Sequence, residues 1–304
     1  MKVAVTGASG LLGSALTASL RADGDQVVTM VRRTPASASE IAWDPLSRLG
    51  GLEPGVLDGT DAVVHLAGAG VADHRWTESY KEEIRSSRVQ GTRGLTEFLA
   101  AMDQPPAALL SGSAVGWYGD TSGREVDESA PAGSGFLAGV VREWEAAAEP
   151  ARQAGIRVAT LRTGIVISRH GGVLAKLLPP FRLGLGAKLG SGTQYMSWVS
   201  LDDWIRAARF LVDLQEISGP VNLTAPKAET NAAFTTALAG ALHRPALLSI
   251  PSPVLSMALG GVTSDLMTSA RVLPRVLREA GFEFTHPDLA GALAAELQPA
   301  GSAA

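Results

Sequence analysis

Along the first two-thirds of the chain, short β-branched runs alternate with stretches whose apolar residues recur at helical spacing. Lys2–Thr6 is apolar enough for a central strand covered on both faces. Leu11, Leu12, Ala15, Leu16 and Leu20 then recur three to four residues apart, as on one face of a helix. Val27–Val31 and Ile41–Trp43 read as the second and third strands, and Ala62–Leu66 as the fourth, introduced by Asp58, Gly59 and Asp61. A long polar helix is expected from Thr77 to Ala101, with Tyr80, Ile84, Leu95, Phe98 and Leu99 turned inward. Pro105-Pro106 closes that segment and Ala107–Leu110 gives a fifth strand. A further helix over Phe136–Ala154 stops at Gly155, and Arg157–Leu161 is the sixth strand. This alternation predicts βαβ units and an α/β fold with a doubly wound parallel sheet.

After Ile167 the texture changes. Glycines and prolines crowd 171–192, and the apolar runs become short. Asp202–Leu214 reads as a helix and Pro220–Leu223 as a strand returning to the sheet. Beyond Thr224 only short helices are expected, over Asn231–Leu242, Leu273–Ala280 and Leu289–Leu297. Residues 1–168 with 197–223 are therefore assigned to a sheet-based domain, and 169–196 with 224–304 to a small, mostly helical lobe. Pro245–Ser264 carries no charge, but Pro245, Pro251 and Pro253 make it a poor membrane helix, so it reads as buried loops and short helices.

Composition narrows the function classes. In 304 residues, 46% hydrophobic and 18% charged side chains leave material for a sizeable core and exclude long disorder. A net charge of −4 argues against a nucleic-acid partner. With no cysteine there are no disulfides, thiolate metal sites or cysteine nucleophiles, which suits a reducing cytoplasm. No membrane partner is expected. The five histidines lie at 65, 74, 170, 243 and 286, without the short spacings of a metal site on one helix. Neither a Gly-x-Ser-x-Gly elbow nor a P-loop is present.

One motif carries chemistry directly. In Thr6-Gly7-Ala8-Ser9-Gly10-Leu11-Leu12-Gly13, glycines at 7, 10 and 13 stand between the first strand and the first helix. Gly7 suits the tight turn, Gly10 the approach of a pyrophosphate and Gly13 the packing of helix on sheet. The helix start then offers unpaired N–H groups and a partial positive charge to phosphates. About twenty residues on, where NAD-binding chains place an acid for the ribose, the second strand ends in Arg32-Arg33. Two guanidinium groups there suit the 2′-phosphate of NADP.

These motifs, with HLAGAG after the fourth strand and SGSAVGWYGD after the fifth, resemble the extended short-chain dehydrogenase/reductase family. VVHLAGAGVADHRWTESYKEEIRSSRVQGTRGL, PPFRLGLG with MSWVSLDD, GPVNLTAP and RVLPRVLREAGFEF extend the likeness over nearly the whole chain, toward an atypical, epimerase-like branch. The resemblance implies a Rossmann-type NADP-binding domain. It implies cofactor contacts at Gly7, Ser9, Gly10, Leu11, Leu12, Arg32, Arg33, Leu66, Ala67, Gly68, Ser111, Arg162, Gly164 and Ile165. Ser113 matches the serine that hydrogen-bonds substrate. Some relatives pair through two long helices, so a homodimer stays open.

The departure from the family concerns the proton. Its chemistry rests on a tyrosine with a lysine four residues later. Here Tyr80, Tyr118 and Tyr195 are followed at that spacing by Ile84, Ser122 and Val199, and Leu137 and Val141 fall where the pair should stand. Arg88 replaces the family's asparagine. Substitutes are sought in Tyr118, Tyr195, His65 and His74, although His65 inside an apolar strand reads better as a satisfied core histidine. Trp117, Arg88, Tyr195 and Trp198 are the residues expected near substrate, and Ser113 and Tyr118 those expected at the chemistry. The chain is thus expected to be an NADP(H)-dependent oxidoreductase or epimerase-like enzyme acting on a small polar, sugar-like molecule, in a cleft at the strand ends. A non-catalytic NADP(H)-binding sensor is the alternative.

Overall fold

The computed structural model describes residues 1–214, 216–251, 253, 254, 265 and 267–298. A seven-stranded sheet has the order Gly219–Leu223, Arg157–Thr163, Ala108–Ala114, Ala62–His65, Lys2–Thr6, Gln26–Val31, Glu40–Ala42. The pairings from Ala108–Ala114 across to Glu40–Ala42 all run parallel. This is the predicted α/β, Rossmann-type architecture. Its strand order reverses between Lys2–Thr6 and Ala62–His65, and the carboxyl ends beside such a switch point form a crevice.

The chain clusters into two compact units. The first holds Met1–Ala114, Gly139–Arg162 and Ile205–Val221. Its core joins the sheet to the long helix Glu78–Ala100 through Val63, Leu95, Leu99 and Leu109. That helix starts at Thr77, whose hydroxyl accepts from the Tyr80 N–H at 3.2 Å. All five side chains expected to turn inward are buried. The second unit holds Val115–Ala138, Thr163–Trp204 and Asn222–Ala304. Its core packs Leu174, Leu178, Phe181, Trp198, Phe234 and Leu293. Residues 115–138, placed in the first domain by the sequence reading, cluster with this second unit.

Several elements differ from expectation for identifiable reasons. The single helix over 136–154 is two, Phe136–Ala146 and Glu149–Gln153. Pro150 lacks an N–H and its ring crowds the carbonyl four residues earlier, at Ala146, where the first piece ends. The fifth strand runs on to Ala114, so Ser111 and Ser113 lie within it. Gly172–Arg182 is a helix despite Pro179 and Pro180, because Leu174, Leu178 and Phe181 share one buried face. The second unit also carries four two-stranded sheets among its described residues, such as Ile165–Ile167 with Trp198–Ser200. Much of the uncharged Pro245–Ser264 stretch lies outside the described residues. Among those described, no helix is long and apolar enough to cross a membrane.

Candidate functional site

The carboxyl ends of the first, second and fourth strands open into a cavity of about 740 Å³ in the first unit. Gly7–Gly10, Val31–Arg33 and Leu66–Gly70 form three of its walls. Gly7 has φ +67°, and a Cβ there would lie 2.8 Å from the Leu66 carbonyl carbon, so only glycine lets these loops touch. At Gly13 a Cβ would lie 2.2 Å from the Gly7 oxygen, which fixes the helix against the turn. The helix Leu11–Ala22 starts at Gly10 with no side-chain cap and no acid in its first turn. Its first N–H groups, those of Leu11 and Leu12 among them, have no intrahelical acceptor. That donor set and the partial positive charge behind it fit a pyrophosphate.

At the second strand end the two arginines differ. Arg33 donates from Nη1 and Nη2 to Glu40 at 2.8 and 2.6 Å, and Nη1 also reaches the Thr34 carbonyl at 3.0 Å. The expectation has both guanidinium groups free for a phosphate; in the structure Arg33 lines the cavity while paired with Glu40. Arg33 and the Ala36 N–H hold the Glu40 carboxyl below its ordinary range. Arg32 is exposed, lines the cavity and has no side-chain partner among the described residues. Glu40 went unnoticed because the third strand was read from Ile41. The strand starts at Glu40, paired with Thr29 in parallel register.

His65 is the satisfied core histidine that its apolar strand suggested. Its Nδ1 lies 2.8 Å from the Thr6 hydroxyl and its Nε2 3.0 Å from that of Thr92. Thr6 Oγ1 already accepts from the N–H groups of Leu66 and Ala67 at 3.1 and 3.2 Å. Its proton therefore goes to Nδ1, and the imidazole carries its own on Nε2. This chain ties the loop at the cavity wall to a neutral histidine. Burial pushes the His65 pKa down to about 4. The unfolded chain takes up the proton first, so the stability from neutral His65 is complete above about pH 6.5 and erodes as pH falls toward 4. Between pH 7 and 4.5 the wild type is expected to lose roughly 2–3 kcal/mol more than His65→Gln in urea unfolding. Equal losses would contradict this reading.

Other expected site residues have structural partners instead. Ser113 donates to Glu145 Oε1 at 2.6 Å, so its proton is not held for a substrate. Arg162, expected to flank the cofactor, is 2% exposed and grips the same carboxylate through Nε and Nη2 at 2.8 and 2.9 Å. Ser111 is fully buried in the sheet. In the second unit Tyr118 is 4% exposed and donates to Asn222 Oδ1 at 2.7 Å, which takes up the hydroxyl expected to move a proton. Trp198, expected near substrate, is 1% exposed within the apolar core. Trp117 donates from Nε1 to the Ala130 carbonyl at 3.1 Å, and the Tyr195 ring lies under Arg271 at 5.2 Å. Gly164 donates to the Leu223 carbonyl at 3.1 Å, and a Cβ there would meet Ser197; Ile165 begins a short strand.

The remaining cavity wall was missed. Asp73, Tyr80, Glu83 and Ser87 line it, together with His74, whose ring meets Tyr80 edge-on at 5.0 Å. Ser87 accepts from the Ala69 N–H at 3.1 Å, and Tyr80 donates to the Gly70 carbonyl. The glycine-rich run 68–70 was the available signal, since such a loop must be pinned by neighbouring side chains.

The model of the NAD dependent epimerase/dehydratase family matches residues 3–223, and a domain of unknown function matches 250–296. An epimerase family protein of Mycobacterium bovis is 47% identical over 292 residues, 96% of each chain. The crystal structure of human epimerase family protein SDR39U1 (isoform 2) with NADPH superposes with a TM-score of 0.89 at 33% identity, over 97% of this chain and 98% of that one. A nucleoside-diphosphate sugar epimerase of Corynebacterium glutamicum gives 0.81 at 36% identity, over 98% of this chain and 58% of that one. A glycine turn at the switch point, an uncapped helix start and this breadth of likeness agree: the chain belongs to the NAD dependent epimerase/dehydratase family.

Proposed function

We propose that the protein is an NADP(H)-dependent oxidoreductase or epimerase-like enzyme acting on a small polar substrate, sugar-like ones included. The observation that carries this reading is Arg32, whose guanidinium has no partner among the described residues and lies on the wall of the cavity into which the uncapped first helix opens. The NADPH in the human relative's crystal structure supports it. Leu11 and Leu12 would hold the pyrophosphate through backbone N–H groups, the Gly10 N–H being given to the Gly7 carbonyl at 2.9 Å, and Arg32 would take the 2′-phosphate. A nicotinamide bound there supplies hydride transfer at its C4. Leu66–Gly70 would shape the wall beside it. Of the four candidate proton carriers, His65 and Tyr118 are engaged elsewhere, while His74 lines the cavity.

The test separates the two arginines. Arg32→Ala should weaken NADPH binding at least about tenfold, as loss of a charge-assisted contact does, and leave NADH nearly unchanged. Arg33→Ala should have the smaller effect, because Glu40 already holds that side chain. Equal losses for both cofactors in Arg32→Ala would defeat the 2′-phosphate assignment.

One observation favours the sensor as a second reading. Leu137 and Val141 occupy the positions where the family's tyrosine and lysine stand, and neither can carry a proton. A screen of NADPH oxidation against diverse carbonyl compounds decides: turnover of any supports the enzyme, and saturable NADPH binding without oxidation supports the sensor.

A further inference from the structure

Arg88 projects from the long helix Glu78–Ala100 under the loop that walls the cavity. A Cβ on Gly68 would lie 3.3 Å from the Arg88 Cγ and Cζ atoms, so the arginine side chain packs directly against that glycine. The guanidinium stacks over the Trp144 ring, 5.1 Å from its centroid. Trp144 is itself fixed, donating from Nε1 to the Thr92 hydroxyl at 2.9 Å. Arg88 Nη1 donates to the Ile84 carbonyl, one turn back, at 3.1 Å. Its Nε and Nη2 have no partner among the described residues. Those two groups form the edge of a guanidinium that matches a carboxylate with two parallel hydrogen bonds. The same molecule shows the match: Arg162 holds Glu145 by that very edge.

Arg88 has no such counter-ion among the described residues. Burial pushes its pKa down to about 10, and no carboxylate offsets the shift, yet the group stays charged at neutral pH. A half-buried cation without an anion is costly, and stacking on an indole recovers only part of that cost. An arginine here is therefore best explained by a negative charge that arrives with a ligand.

We propose that Arg88 is a specificity-determining residue that binds a carboxylate of the substrate through its Nε–Nη2 edge. The substrate class is accordingly a small acid bearing a carbonyl or hydroxyl group. This inference rests on the NADP(H)-dependent reading of the cavity that Gly68 lines, with Arg88 packed behind that glycine. The rigid stack on Trp144 sets the plane of the carboxylate, and with it the orientation of the neighbouring carbon.

Malonate, with its uncharged analogue malonamide as control, serves as the probe. Added to the wild-type protein saturated with NADPH, malonate should change nicotinamide fluorescence in a saturable way, and malonamide should not. In Arg88→Gln the half-saturating malonate concentration should rise at least tenfold while NADPH affinity moves less than threefold. Arg88→Lys, which keeps the charge but not the fork, should fall between them and serves if the glutamine variant does not fold. Equal responses to malonate and malonamide, or equal malonate affinity in the wild type and the variants, would overturn the assignment. So would a tenfold loss of NADPH affinity in folded Arg88→Gln, which would give Arg88 to the cofactor. Failure of the wild type to bind NADPH is a distinct result that removes the cofactor reading first, and this inference with it.

Discussion

Glu145→Ala is expected to destabilise the first unit by about 3–5 kcal/mol, because it removes the carboxylate that the buried Arg162 guanidinium grips through Nε and Nη2. Ser113 loses its acceptor in the same step. The effect belongs to the broken pair rather than to the pair's net worth. Two charges removed from water recover their desolvation cost only through good geometry, so deleting one partner hurts more than deleting both. The double variant Glu145→Leu with Arg162→Leu should therefore recover most of the stability lost by the single change. Urea unfolding of the single variant and the double one measures this directly. If Glu145→Ala costs less than about 1 kcal/mol, the site is wetter than the geometry indicates and the ion pair is a surface-like one.

Gly13→Ala carries the other large effect, and it links folding to the cofactor cavity. The added Cβ would sit 2.2 Å from the Gly7 oxygen and 2.9 Å from the Ala8 Cα, and backbone atoms cannot step aside as a flexible side chain can. The first helix must shift outward. Overpacking of this kind costs about 1–3 kcal/mol, and here it also moves the N–H groups that face the cavity. Affinity for NADPH should fall at least about tenfold, since misplacing several hydrogen-bond donors at once loses more than 1.4 kcal/mol. The measurement is NADPH titration alongside thermal unfolding. A variant with intact stability and intact affinity would show that the helix does not depend on that contact.

The sheet was legible in the sequence because its signals are local. Lys2–Thr6 is correct to the residue, and the long helix to one residue at each end. The glycines were legible for the same reason: a positive φ at Gly7 and a missing Cβ at Gly13 are requirements that sequence position alone can announce. The partners of charged side chains were not. Nothing in the local sequence says that Arg162 meets Glu145, or that Tyr118 meets Asn222 more than a hundred positions away, because those pairings arise only when distant segments pack. Arg33 was a closer case. Glu40 lies seven residues on and is brought near by the parallel pairing of the second and third strands. The second unit was hardest to read, since its short strands pair segments as remote as Glu125–Val126 and Arg271–Val272. Two-residue strands leave no periodicity to detect.

The central claim is that bare backbone N–H groups at the start of the first helix receive the cofactor's pyrophosphate. Amide resonances of Ser9, Leu11 and Leu12, followed by NMR as NADPH is added, test it most directly. The account predicts that these three shift together and saturate with one dissociation constant; resonances that stay in place at NADPH concentrations saturating the protein would contradict it.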